Sequence, residues 1–202
     1  MTEIEQFRLF IAVTIPEEVK AKMEEAQAEL RCALPERVVR WTKRGQFHLT
    51  LRFLGDVDAP RVEALRDALR AACHGFSALR LRAQGVGFFP DLRFPRVGWV
   101  GVNDQADQLP RLQQAVEAAT RDFTAEEPGE RFTGHVTLAR LKGLKRPEAE
   151  ALGLAAAGMA ERLFGQWTAY KIELMRSELS PKGARHTSLA AIPLAGLAAD
   201  LA

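Results

Sequence analysis

The sequence predicts an α+β fold of two duplicated lobes, with two mainly antiparallel sheets facing a central cleft and helices packed outside. Three observations predict it. The order strand, helix, strand pair, helix, strand occurs twice along 202 residues. The segments FHLTLRFLG and GHVTLARLK take equivalent places in the two halves, each about 40 residues beyond the first strand of its half. The composition, 47% hydrophobic and 27% charged, is that of a globular chain with a substantial core, organised as one two-lobed domain over residues 1–202.

The elements follow from local pattern. Residues 7–15, RLFIAVTIP, are rich in β-formers and end at Pro16, which suits the first turn of a helix. Val19, Met23, Ala26 and Leu30 then recur at helical spacing. Two short strands, 38–42 and 47–54, flank the turn Lys43-Arg44-Gly45-Gln46. Asp58 is the expected cap of a second helix, with Pro60 in its first turn and Val62, Leu65, Leu69 and Ala72 on its inner face. A strand over 79–89 closes this half at Pro90.

In the second half, 96–102 reads as a strand, and Leu109, Leu112, Val116, Ala119 and Phe123 mark a helix with Pro110 near its start. After the breakers Glu126-Glu127-Pro128-Gly129 comes a strand over 132–141, interrupted by Gly134. A helix is expected from Pro147 to Phe164, weakened by Gly153 and Gly158. Strands over 167–179 and 186–194 pair as a hairpin about the turn Ser180-Pro181-Lys182-Gly183, and the alanine-rich tail after Pro193 reads as a loose end.

Charge narrows the function classes. With 28 Lys and Arg against 26 Asp and Glu, the net charge of +2 lacks the basic excess of a protein that coats duplex DNA. A small anion or an RNA end held by a few cations fits better. The two cysteines, Cys32 and Cys73, are too few for a disulfide framework or a four-ligand zinc site and read as buried thiols. No apolar run approaches the ~20 residues of a membrane span and no basic leader precedes an apolar segment, so a cytoplasmic protein is expected; a monomer is expected separately.

Of the four histidines, His48 and His135 each have a threonine two residues on, Thr50 and Thr137. These motifs, at 48–51 and 135–138, fall on matched strands. Alternation puts Phe47, Leu49, Leu51 and Phe53 on one face and His48, Thr50 and Arg52 on the other. In the second strand Val136 and Leu138 share the core side, and His135 and Thr137 face away. The apolar faces must cover core, so both His/Thr pairs are aimed at the cleft. His74 sits at a helix end, and His186 near a turn reads as a surface residue.

Two imidazoles suit paired proton transfer. With an ordinary value near 6.5, one ring can be neutral and the other protonated near neutral pH, acting as general base and general acid. Phosphodiester cleavage beside a ribose hydroxyl needs both, with donors around the phosphate oxygens. Thr50 and Thr137 can supply hydroxyls, and Arg140 or Arg52 can supply charge. At five residues past His135, Arg140 has the wrong parity for an ideal strand. Either the strand bulges or ends near Ala139, or Arg52 serves instead. Glycine-rich phosphate loops, nucleophile elbows and dinucleotide fingerprints are absent from the sequence, so no cofactor is expected. A zinc site is poorly supported, because the histidines lie far apart and lack ligands at suitable spacing.

At these residues the sequence resembles the two-histidine phosphoesterase superfamily, and in particular the bacterial and archaeal RNA 2′,3′-cyclic phosphodiesterases, long called 2′-5′ RNA ligases. The likeness runs through RLFIAVTIP, RWTKRGQFHLTLRFLGDV, VGFFPDLRFPRVGWVGV, RFTGHVTLARLK and SELSPKGARHTSL. It implies metal-independent hydrolysis of a terminal 2′,3′-cyclic phosphate to a 2′-phosphate. His48 would be the proton donor, His135 the proton acceptor, and Thr50, Thr137 and Arg140 the phosphate-holding groups. The implied partners are RNA ends, tRNA fragments or small cyclic nucleotides, with 2′-5′ ligation as the reverse reaction. A 2′-5′ oligonucleotide or cyclic nucleotide phosphodiesterase of the same fold, and a non-catalytic RNA-end binder, are the competing readings. Departures from the family pattern are Gly134 where proline is common, Met175 and Arg176 for an aromatic and an acidic residue, and His186 for an aromatic.

Overall fold

Strand β1 (Gln6–Thr14) carries five consecutive buried apolar residues, Leu9 to Val13, so both of its faces are covered. It lies between two neighbours, β3 (His48–Asp58) and β8 (Lys171–Ser180). The computed structural model describes residues 4–127, 131–180 and 183–194. The remaining strands are β2 (Val39–Trp41), β4 (Leu79–Phe89), β5 (Val97–Asp104), β6 (His135–Leu141), β7 (Leu163–Ala169) and β9 (Gly183–Pro193). The helices are α1 (Glu17–Arg31), α2 (Val62–Cys73), α3 (Gln108–Thr120) and α4 (Arg146–Ala157). The α+β class and the antiparallel pairing agree with the sequence reading.

The strands run in the order β7-β4-β5-β6-β3-β1-β8-β9, with β2 on β6. Two four-stranded groups meet where β3 and β6, the two histidine strands, pair through Leu49 and Val136. The expected two sheets are therefore joined edge to edge into one nine-stranded sheet. The halves also exchange strands. Strand β4, from the first half of the chain, pairs with β5 and β7, while the last two strands extend the sheet beyond β1. Helix α1 packs on β7 and α4, and α2 and α3 pack on each other and against β9 and β3. Val19, Met23, Ala26 and Leu30 are buried beneath α1, as their spacing predicts.

Several boundaries differ from expectation. Helix α4 stops at Ala157, with Gly158 at its C-cap, and 163–169 forms β7 against β4. The single strand expected over 167–179 is thus two strands parted at Tyr170. Asp58 does not cap α2, because a short 3-10 turn, Ala59–Arg61, intervenes and its carboxylate accepts from Gln6 Nε2 at 2.9 Å. Strand β6 begins at His135, and β9 begins at Gly183, three residues before His186. Cys32 ends α1 in an exposed position, whereas Cys73 is buried and its thiol is pushed up to about 11 by that burial. His74 is the exposed C-cap of α2. Pro128, Gly129, Pro181, Lys182 and the tail beyond Leu194 lie outside the described residues. Among the described residues no helix is long and apolar enough to cross a membrane.

Candidate active site

The two histidine strands build the same local device. His48 Nδ1 lies 2.7 Å from the carbonyl oxygen of Gln46, and His135 Nδ1 lies 2.7 Å from that of Thr133. A carbonyl can only accept, so each Nδ1 carries a proton and each neutral ring keeps its lone pair on Nε2. Leu49 and Leu51 are buried on the core side, as are Val136 and Leu138. Thr50 and Thr137 share the cleft with the histidines, and neither hydroxyl has a hydrogen-bond partner among the described residues.

Past the threonine each strand contains one extra residue. In the ladder with β1, Ile11 faces Arg52 and Ala12 faces Thr50, so Leu51 is unpaired. In the ladder with β5, Gly98 faces Ala139 and Trp99 faces Thr137, so Leu138 is unpaired. Such bulges reverse the face of every residue that follows. Arg140 therefore returns to the cleft with His135 and Thr137, which resolves its parity. The matching bulge in β3 turns Phe53 to the cleft, 56% exposed, and turns Arg52 away.

Arg52 is accordingly not a cleft residue. It is 7% exposed, donates from Nη2 to the carbonyl of Glu126 at 2.7 Å, and stands 3.6 Å from Glu117 Oε2. Uninterrupted alternation would put it in the cleft, and the extra residue at Leu51 breaks that alternation. The bulge in β6 is tied from outside its strand. Gln27, buried in α1, donates from Nε2 to the carbonyls of Leu138 at 2.7 Å and Thr42 at 2.9 Å. A second bulge in β3, at Leu54, is bonded by Thr124 Oγ1 at 2.6 Å.

The cleft has a volume of about 800 Å³ and brings together His48, Thr50, His135, Thr137 and Arg140. Its two sides are lined differently. The His48 ring stacks at a tilt on Phe10, 4.8 Å between centroids, and meets His186 edge to face at 5.3 Å. Phe10 also touches Phe53 and His186. The His135 ring meets Phe89 edge to face at 5.0 Å, with Trp99 behind it at 6.4 Å. Gly87 makes room for that indole, since a Cβ there would come within 2.3 Å of it. Gly134 serves similarly before His135, because a Cβ would collide with the carbonyl of Val102.

Protonation follows these surroundings. Burial pushes His48 down to about 4, aided by the charges of His186, His135 and Lys20 and opposed by the Gln46 carbonyl. His135 is lowered by burial and by the Arg140 guanidinium, against the Thr133 carbonyl, and His186 is lowered by burial. Near neutral pH these surroundings favour the neutral imidazoles. A bound phosphate supplies the negative charge that favours the imidazolium form.

His186 is the principal site residue that the sequence reading misses. It sits inside β9 opposite Ser177, lines the cleft, and its buried Nδ1 has no hydrogen-bond partner among the described residues. Phe10, Phe53, Phe89 and Arg40 join it as cleft residues that the motifs do not mark, with Trp99 behind His135. Their aromatic and basic character is visible in the sequence, but their place depends on strand register.

Comparison with known proteins agrees with this geometry. The sequence profile of LigT-like phosphoesterases matches the chain twice, over residues 13–99 and 100–186. An RNA 2′,3′-cyclic phosphodiesterase of Thermus thermophilus is 36% identical over 200 residues, covering 94% of this chain and 91% of its own. One from Aeropyrum pernix is 34% identical over 143 residues, covering 71% and 79%. The crystal structure of a Thermus thermophilus protein superposes with a TM-score of 0.75 at 32% identity, covering 94% and 98%. E. coli LigT complexed with 3′-AMP shares the fold, with a TM-score of 0.74 at 22% identity over 94% and 99%. Each profile match contains one histidine motif on one of two joined strands, and the chain belongs to the LigT-like family of two-histidine phosphoesterases.

Proposed function

We propose that the chain hydrolyses the terminal 2′,3′-cyclic phosphate of RNA to a 2′-phosphate, with His48 as proton donor and His135 as proton acceptor. The observation that carries this reading is the matched pair of imidazoles, each fixed through Nδ1 with Nε2 left for the cleft. The name borne by the relatives above, RNA 2′,3′-cyclic phosphodiesterase, supports the same reaction.

His135 Nε2 takes a proton from water, whose oxygen attacks phosphorus. The bond from phosphorus to O3′ breaks, and His48 Nε2 gives its proton to that oxygen, leaving a free 3′-hydroxyl and a 2′-phosphate. Arg140, beside His135, favours the neutral base and offsets charge on the phosphorane oxygens. Thr50 and Thr137 donate hydroxyl hydrogens to the same oxygens. His48 acquires its proton with the anionic substrate, since burial keeps it neutral beforehand.

The test is a short RNA ending in a 2′,3′-cyclic phosphate, incubated with the EDTA-treated protein and with His48→Ala and His135→Ala. Mass spectrometry and phosphatase mapping identify the product. Conversion to a 2′-phosphate, undiminished by chelation and reduced by about 10²–10⁴-fold in each variant, is the expected result. A 3′-phosphate product, or activity surviving both substitutions, overturns it.

A further inference from the structure

Strand β2 brings Arg40 directly opposite Arg140 in the ladder with β6. Directly opposed residues of an antiparallel pair project from the same face, and like charges so placed destabilise the sheet. Both arginines line the cleft, and neither has a carboxylate within ion-pair distance among the described residues. Two arginines near Arg40 in the chain differ in this respect. Arg37 is paired with Glu148 at 2.5 Å, and Arg44 with Glu17 at 3.2 Å. The cleft arginine of the other lobe, Arg8, stands opposite Asp56 in its ladder. Arg40 and Arg140 thus form a pair of opposed cleft cations with no ion-pair partner among the described residues.

Two opposed arginines lining one cleft can hold two anions. In the reaction proposed above, on which this inference rests, Arg140 meets the reacting phosphate. The next anion along an RNA chain is the phosphodiester 5′ of the terminal nucleotide, which a free cyclic nucleotide lacks. We propose that Arg40 binds this internucleotide phosphate, so that the cleft selects the ends of oligoribonucleotides over cyclic mononucleotides. The contact is charge-assisted and, with arginine, open to bidentate geometry.

The experiment compares three substrates: a 2′,3′-cyclic mononucleotide, a dinucleotide ending in a 2′,3′-cyclic phosphate, and that dinucleotide with an uncharged methylphosphonate linkage. The unmodified chain is expected to favour the charged dinucleotide over the uncharged one by about tenfold in kcat/KM, mostly through KM. In Arg40→Met that ratio falls to within about twofold, and the log–log dependence of 1/KM on salt becomes shallower by about 0.7. Arg40→Lys, which keeps the charge, retains the greater part of the preference. Equal losses on all three substrates would show that Arg40 serves the reacting phosphate, and an unmodified chain indifferent to the methylphosphonate would show no such subsite; either overturns the proposal alone. Failure of the unmodified chain to turn over any cyclic phosphate overturns the reaction, and the subsite with it.

Discussion

The two lobes build one device twice and surround it differently. In both, a histidine is held by the carbonyl two residues before it, a threonine follows two residues on, and a bulge three residues on returns the fifth residue to the cleft. That fifth residue is Phe53 in one lobe and Arg140 in the other. His48 is enclosed by Phe10 and His186, whereas His135 has Phe89 and Trp99 behind it and a cation beside it. Identical proton carriers in identical surroundings would have no reason to divide the labour of acid and base. The shared backbone fixes where the nitrogens stand, and the unlike neighbours make them chemically unequal.

The largest expected consequence is in stability against pH. The folded chain holds His48 near 4, while the unfolded chain binds the same proton near 6.5. Between those values the unfolded state carries more protons, so stability falls as pH drops from about 6.5 to about 4. The full loss from this one group is about 3 kcal/mol, and His135 and His186 act in the same direction. Urea unfolding of the unmodified chain, His48→Asn and His135→Asn at pH 7.5 and pH 4.5 measures each share. His48→Asn should remove most of the acid-side loss and His135→Asn a smaller part. Equal shares would mean that the two lobes do not differ electrostatically.

The two cleft histidines were legible in the sequence because alternation is a local rule. His48 and Thr50 against Leu49 and Leu51, and His135 and Thr137 against Val136 and Leu138, came out on the expected faces. One residue further, the rule fails. Whether Arg52 or Phe53 enters the cleft is decided by a bulge against β1 and by partners at Glu117 and Glu126, far along the chain. The parity of Arg140 did call for a bulge or a strand end near Ala139, and a bulge lies next to it at Leu138. His186 needed the register of the β8–β9 hairpin to be seen facing His48. The exchange of β4 and of the last hairpin between lobes leaves no local trace either, since every strand involved reads the same in isolation.

The unequal fifth positions give the next largest effect. Arg140→Met removes a charge from the phosphate side and should lower kcat/KM for a cyclic phosphate end by about 30-fold, the range of a charge-assisted hydrogen bond. Phe53→Leu keeps an apolar side chain at a wide-open position and should cost less than about fivefold, in KM. Steady-state kinetics on one substrate compares them directly. Matching losses would mean that the bulge, and not the residue it presents, is what matters at this place.

The smallest effect reaches the site through the bulges themselves. Gln27 bonds the carbonyls of Leu138 and Thr42, and Thr124 bonds that of Leu54. Gln27→Leu and Thr124→Val should each cost about 1 kcal/mol in urea unfolding, the first from a buried side chain and the second from a half-buried one. The Leu138 carbonyl keeps its bond from the Thr42 amide at 2.9 Å, so the loss in the first variant stays modest. Activity separates the two. Gln27 holds the bulge that aims Arg140 into the cleft, so on the proposed reaction Gln27→Leu should lower kcat/KM by a few-fold. Thr124 holds a bulge beyond Phe53 and accepts from the Glu126 amide at 2.9 Å, touching no residue assigned to the phosphate, so Thr124→Val should leave kcat/KM within about twofold. A larger activity loss in Thr124→Val would place the demanding geometry in the lobe of His48 and reverse the assignment of which side grips the phosphate.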